Sequence, residues 1–132
     1  MKCVKAAAAM IVDHNRFLVA QRGYGEFKDL WEFPGGKVEL NEQPEETIIR
    51  EIKEELNADI IVDALITNIE HDYNTFHLSM ELFACHLNGC SIELLEHEAS
   101  KWITAAEMDS IDFLPADRKA LPFIKDYFTK KK

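Results

Sequence analysis

The chain has 132 residues, 47% of them apolar and 10% aromatic, which suits one domain with a buried core over residues 1–132 and not a disordered polymer. Its net charge of −9, with basic residues massed only at Lys130-Lys131-Lys132, argues against a polymeric nucleic-acid partner, whose phosphates require a basic footprint. The apolar run from Ala6 to Val12 is too short to span a bilayer. No targeting segment is evident and Cys3, Cys85 and Cys90 form no paired framework, so a reducing cytoplasm is the expected setting.

Residues 4–12 read as a buried strand whose four alanines, weak strand formers, point to close packing by a neighbour. His14-Asn15 supplies a turn, and residues 17–22 return as a hairpin partner. Residues 23–30, with two glycines, form a loop. Trp31-Glu32-Phe33 is a short strand stopped at Pro34-Gly35-Gly36, and residues 37–40 continue extended. Pro44 suits a first helical position, with Glu45 and Glu46 where the helix dipole favours acids, and the helix runs to about Asn57. At about 100° per residue, Ile48, Ile49, Ile52 and Leu56 share an apolar arc. Glu51, Glu54 and Glu55 take an adjacent arc, turned from the core.

Residues 60–70, 75–87 and 91–95 read as strands, with Asn88-Gly89 as a hairpin turn. Thr104 caps a short helix through Ser110, and Pro115 opens a final amphipathic helix with Leu121, Ile124 and Phe128 inward. That order makes an α+β or α/β sandwich, a mixed β-sheet between helices.

The chemistry concentrates on the first long helix. Glu51, Glu54 and Glu55 fall at i, i+3 and i+4, so their carboxylates share one side and repel unless a cation sits among them. Carboxylate oxygens are hard ligands suited to Mg²⁺ or Mn²⁺. The plainer alternative is a solvated helix face bridged by Arg50 and Lys53. His14, His71, His77 and His86 have no zinc-ligand spacing.

Gly36, Glu42 and Arg50-Glu51-Ile52-x-Glu54-Glu55, with gaps of five and seven residues, resemble the signature of the Nudix hydrolases. Asn57 stands where that signature has Gly, and it tolerates the left-handed conformation that ends helices; Ala58 replaces a larger aliphatic. Four further stretches extend the resemblance toward MutT-type nucleoside triphosphate pyrophosphohydrolases. They are Ala20-Gln21-Arg22, the run Leu30 to Lys37, Glu96-His97-Glu98-Ala99 with Trp102, and Phe113 to Asp117.

The resemblance implies an α/β/α sandwich and a Mg²⁺ cofactor, with Mn²⁺ as the substitute. It implies Glu51 as a ligand or base held by Arg50, with Glu54 and Glu55 as ligands and the backbone carbonyl of Gly35 as another. Glu96 takes the place of a further metal-binding carboxylate or base, with His97 beside it. Gly36 and Glu42 are structural in the motif. Arg22, Phe33, Lys37 and Asp117 are the substrate-binding candidates, and Tyr24 and Phe76 are further aromatics that could line a base pocket. Relatives specific for oxidised guanine have Asn at the position of Asp117. An ionised Asp only accepts, which favours a base edge offering protons, the cytosine amino group or N7–H of 8-oxoguanine.

The implied activity is Mg²⁺-dependent hydrolysis of (deoxy)nucleoside triphosphates to monophosphate and pyrophosphate by a monomer or homodimer, with 8-oxo-dGTP and CTP or dCTP as leading substrates. The alternatives are a Nudix hydrolase of ADP-ribose or a diadenosine polyphosphate, and a non-catalytic nucleotide-sensing domain. Retention of all three acids argues against the last.

Overall fold

β1 (Lys2–Asp13) is the spine of a mixed sheet. It pairs in parallel with β6 (Phe76–Leu87) along Lys2 to Ile11. It pairs antiparallel with β4 (Gly35–Lys37) through Ala6, Ala7 and Ala8, and with β2 (Arg16–Gln21) at Val12 and Asp13. β5 (Ile60–Asp72) flanks β6, while β2 carries β3 (Trp31–Glu32) and β7 (Ala99–Thr104). The computed structural model of the chain describes residues 2–89, 92 and 99–130. Nearly all of the strand predicted at 91–95 lies outside the described residues, as do Glu96 and His97.

Alternation along β1 divides the core between two faces. Ala8 and Met10 join Phe17, Met108 and Ile124 on one side. Ala7, Ala9 and Ile11 meet Ile48, Ile52 and Leu56 of α1 (Pro44–Leu56) on the other. Ile124 belongs to α3 (Leu121–Lys130), so helices cover both faces and the α+β sandwich is formed. Among the described residues no helix is long and apolar enough to cross a membrane.

The start and stop signals of α1 act as read. Pro44 opens it, and the N–H of Gln43 donates to Glu46 Oε1 at 2.8 Å. Asn57 ends it in the left-handed conformation (φ 48°), donating its N–H to the Lys53 carbonyl at 3.1 Å. The short helix after Thr104 is a 3-10 turn over Ala105–Ser110, where the Thr104 N–H donates to Glu107 at 2.9 Å.

Four expectations need correction. Gly35 and Gly36 do not merely stop a strand: with Lys37 they form one, antiparallel to β1. A Cβ on Gly35 would lie 2.7 Å from the Cα of Ala8, so only glycine lets β4 lie this close. Ile49, placed in the apolar arc of α1, is 46% exposed because it falls at the arc's edge. The final helix is broken into α2 (Pro115–Arg118) and α3, since Pro122 has no N–H to bond back and disfavours helical geometry before it. Glu55 is also not turned from the core, being only 6% exposed.

Candidate active site

Arg50 organises the acids of α1. Its Nε and Nη2 donate to the two oxygens of Glu42 at 2.8 and 3.0 Å, a bidentate fork. Its Nη1 donates to Glu51 at 2.8 Å and to Glu54 at 3.3 Å, and Nη2 reaches the Lys37 carbonyl at 3.2 Å. Glu42 also accepts from the Thr47 hydroxyl at 2.7 Å and the Glu39 N–H at 3.0 Å. The Arg50 hydrogen bonds, with those from Glu39 and Thr47, pull the Glu42 carboxyl down to about 2. The Arg50 guanidinium is correspondingly raised, first by Glu42 and, against the cost of burial, by Glu51. Lys53, expected to share the acidic face, instead approaches Asp59 at 3.6 Å.

Gly36 lies against this cluster. A Cβ there would fall 2.5 and 2.7 Å from the carboxylate oxygens of Glu51, so the absence of a side chain lets Glu51 sit at β4. A polar cleft of about 180 Å³ opens beside it, lined by Arg22, Tyr24, Glu32, Gly35, Glu51 and Glu55. Glu54 is not among the lining residues; its side chain is 54% exposed and turned to Arg50. Among the described residues no three Asp, Glu, His or Cys side chains converge closely enough to enclose a cation unaided. The donor chemistry nonetheless fits a hard divalent ion, with carboxylates and the Gly35 backbone on one cleft and space kept clear by Gly36. Glu96 lies outside the described residues.

A larger pocket of about 430 Å³ adjoins the cleft, and Arg22, Glu32 and Gly35 border both. Phe33, Lys37, Phe76 and Asp117, all named from the sequence as candidates for substrate contact, line it. Tyr24 does not: it is 69% exposed and borders the acidic cleft instead. Arg22 donates to Glu32 at 2.7 Å, and although burial opposes its charge, Glu32 raises its pKa overall.

Asp117 is buried, and one carboxylate oxygen accepts the Phe33 N–H at 2.9 Å. Burial, then the charge of Glu32, pushes its carboxyl up to about 7. A carboxyl raised this far also offers a donor in its protonated form, beside the acceptor to which an ionised Asp117 is limited.

Three lining residues were not among the substrate-binding candidates read from the sequence. Glu32 joins the two cavities, and its signal was a lone acid in an otherwise apolar strand. Tyr73 lines the pocket, stacks on Phe76 at 5.1 Å and accepts the Ala116 N–H at 3.1 Å. Lys2 reaches the same pocket only through its pairing with Phe76 across the sheet, for which no local signal exists.

A fold with helices on both faces of a mixed sheet, and with a glycine strand laid against an acidic helix, defines a class recognisable by comparison. A family model of the NUDIX domain matches residues 7–122, and the chain belongs to that family. It is a Nudix hydrolase. An 8-oxo-dGTP diphosphatase of Proteus vulgaris is 38% identical over 84 residues, 62% of this chain and 75% of that one. A CTP pyrophosphohydrolase of Escherichia coli is 31% identical over 120 residues, 89% of this chain and 87% of that one. The solution structure of a MutT protein of the Nudix hydrolase family from methicillin-resistant Staphylococcus aureus superposes with a TM-score of 0.75 at 34% identity, covering 98% and 99% of the two chains.

Proposed function

We propose that this chain, acting as one domain over residues 1–132, is a Mg²⁺-dependent, MutT-like pyrophosphohydrolase of free (deoxy)nucleoside triphosphates, with 8-oxo-dGTP and cytidine-type triphosphates as leading substrates. The observation that carries the reading is the junction of the two cavities. A pocket of base-binding size, with aromatic walls and one buried carboxyl, opens onto an acidic cleft across Arg22, Glu32 and Gly35. Relatives named as 8-oxo-dGTP diphosphatase and CTP pyrophosphohydrolase support the same chemistry.

In this reading Glu51, Glu55 and the Gly35 carbonyl would hold the cation, with Glu54 as the further carboxylate of the same helix that could complete the set. When bound, Mg²⁺ neutralises phosphate charge, polarises the phosphoryl group and makes water more acidic. The protein's own groups position the reactants. Arg22, at the junction, meets the phosphate chain, and Lys37 adds positive charge at the pocket. Phe33 packs against the base, and Asp117 reads its edge. Arg50 keeps Glu51 in place through the Glu42 fork. Water attacks the β-phosphorus and the bond from that phosphorus to the oxygen bridging the α-phosphate breaks, giving a nucleoside monophosphate and pyrophosphate.

The test is hydrolysis with Mg²⁺, and separately Mn²⁺, of 8-oxo-dGTP, dGTP, CTP, dCTP, ADP-ribose and a diadenosine polyphosphate. Pyrophosphate and inorganic phosphate are followed separately. Pyrophosphate from a triphosphate is the expected result. Turnover of ADP-ribose or the diadenosine compound alone would reject it, as would nucleotide binding without turnover.

A further inference from the structure

We propose that Tyr24 is a specificity-determining residue that counts phosphates: its hydroxyl donates to the terminal phosphate of a bound triphosphate, so that triphosphates are preferred to the corresponding diphosphates. The inference rests on the triphosphate reading above and deepens it.

The two cavities fix a direction. Arg22, Glu32 and Gly35 border both, whereas Gly23, Tyr24, Glu51 and Glu55 border the acidic cleft and not the larger pocket. A nucleotide with its base in the larger pocket passes its first phosphate across the junction and brings its last into the cleft, where Tyr24 stands.

The chemistry of the lining leaves few donors for that last phosphate. Ionised Glu32, Glu51 and Glu55 only accept, and Arg22 and Tyr24 are the lining side chains that donate. Arg22 is already engaged with Glu32 at 2.7 Å. A γ-phosphate adds negative charge to a cleft walled by carboxylates, and a bound cation cannot face every one of its oxygens. An O–H donor to an anionic oxygen makes a strong hydrogen bond without adding a charge of its own.

Local structure keeps the ring beside the cleft. The Arg22 N–H donates to the Leu30 carbonyl at 2.9 Å and the Asp29 N–H to the Arg22 carbonyl at 2.8 Å, closing the neck of the loop that follows β2. Further along, Phe27 packs against Tyr73 with ring centroids 5.3 Å apart. Tyr24 lies between these two anchors, and at 69% exposure it adds little to the core.

The experiment compares wild type, Tyr24→Phe and, as a control, Tyr127→Phe, a tyrosine of α3 that lines neither cavity. Thermal melts first confirm folding. Kinetic constants are measured with Mg²⁺ for 8-oxo-dGTP, dGTP and dCTP, and for dGDP and dCDP as substrates or competitive inhibitors. Inhibition constants are measured for pyrophosphate and dGMP. Tyr24→Phe should lower kcat/KM for the triphosphates by about 10–100-fold and weaken pyrophosphate inhibition by a similar factor, as loss of one hydrogen bond to a charged group does. The diphosphates and dGMP, which lack the contacted group, should change by less than about threefold. Tyr127→Phe should leave all of these values in place. Equal losses on triphosphates and diphosphates, or no loss on either, overturn the inference and leave the triphosphate reading intact. If wild type turns over no triphosphate, that reading fails by itself. Calorimetric binding of Mg²⁺-tripolyphosphate that Tyr24→Phe weakens then retains the contact, and binding that it leaves unchanged overturns the contact as well.

Discussion

Arg50 keeps carboxylates together that would otherwise repel, and its bidentate hold on Glu42 leaves its other nitrogen to bond Glu51 and Glu54. Lysine has the charge without the fork. Arg50→Lys is expected to lower kcat/KM by about 10–100-fold while the protein stays folded, a pattern read from steady-state kinetics beside a thermal melt. Asp117 makes a different prediction. Its folded value of about 7 stands above the ordinary 3.8, so the native protein holds this proton more tightly than the unfolded chain. Stability from this group is full below about 3.8, declines as pH rises toward 7, and is level beyond. Asp117→Asn should remove that decline, and calorimetric melts of both proteins between pH 4 and 7 measure the difference. Parallel curves would mean that the buried carboxyl is already ionised throughout. The sequence placed Asp117 in the pocket but not its protonation, because burial against Phe33 and Glu32 is a property of the folded chain.

At the scale of the element, α1 was legible almost to the residue, since its signals are local: Pro44 at the start, acids in the first turn, Asn57 at the end. Its rotation was less so. Ile49 and Glu55 exchange the expected environments because α1 packs on β1 and β4 alike, and no helix periodicity encodes where those strands lie. The glycines of β4 separate structural from chemical cost. Gly36→Ala directs its methyl group at the Glu51 carboxylate, a side chain that can turn away, so the fold should persist while kcat/KM drops about 100-fold. Gly35→Ala meets the backbone of β1, which cannot turn away, and should cost about 1–3 kcal/mol in denaturant unfolding. Equal stability of the two variants would contradict this division.

For the whole molecule, the acidic balance read from composition now has a location: part of it lines the cleft at Glu32, Glu51 and Glu55. Cation binding should accordingly stabilise the folded state. At a Mg²⁺ concentration 100 times its dissociation constant the gain is about 2.7 kcal/mol, and the double variant Glu51→Gln/Glu55→Gln should show almost none of it in thermal melts. An equal upward shift in both proteins would place the ion elsewhere. The fold class was readable because strand and helix runs alternate plainly. The pocket was not, since its floor, walls and carboxyl come from β1, β6 and α2, which meet only after the chain has closed on itself.

The parallel pairing of β1 with β6 has a kinetic consequence. Lys2 must find Phe76, and Ile11 must find Cys85, across more than half the chain, with α1 and β5 in between. Such non-local contacts lose loop entropy before any pairing repays it and are slow to form. The helix that carries the acids can form early from its own caps, whereas the larger pocket cannot exist until the first and sixth strands zip together. Refolding should thus recover helical signal before nucleotide affinity, and the interval between the two is the time the chain takes to close the ring of contacts around its own first strand.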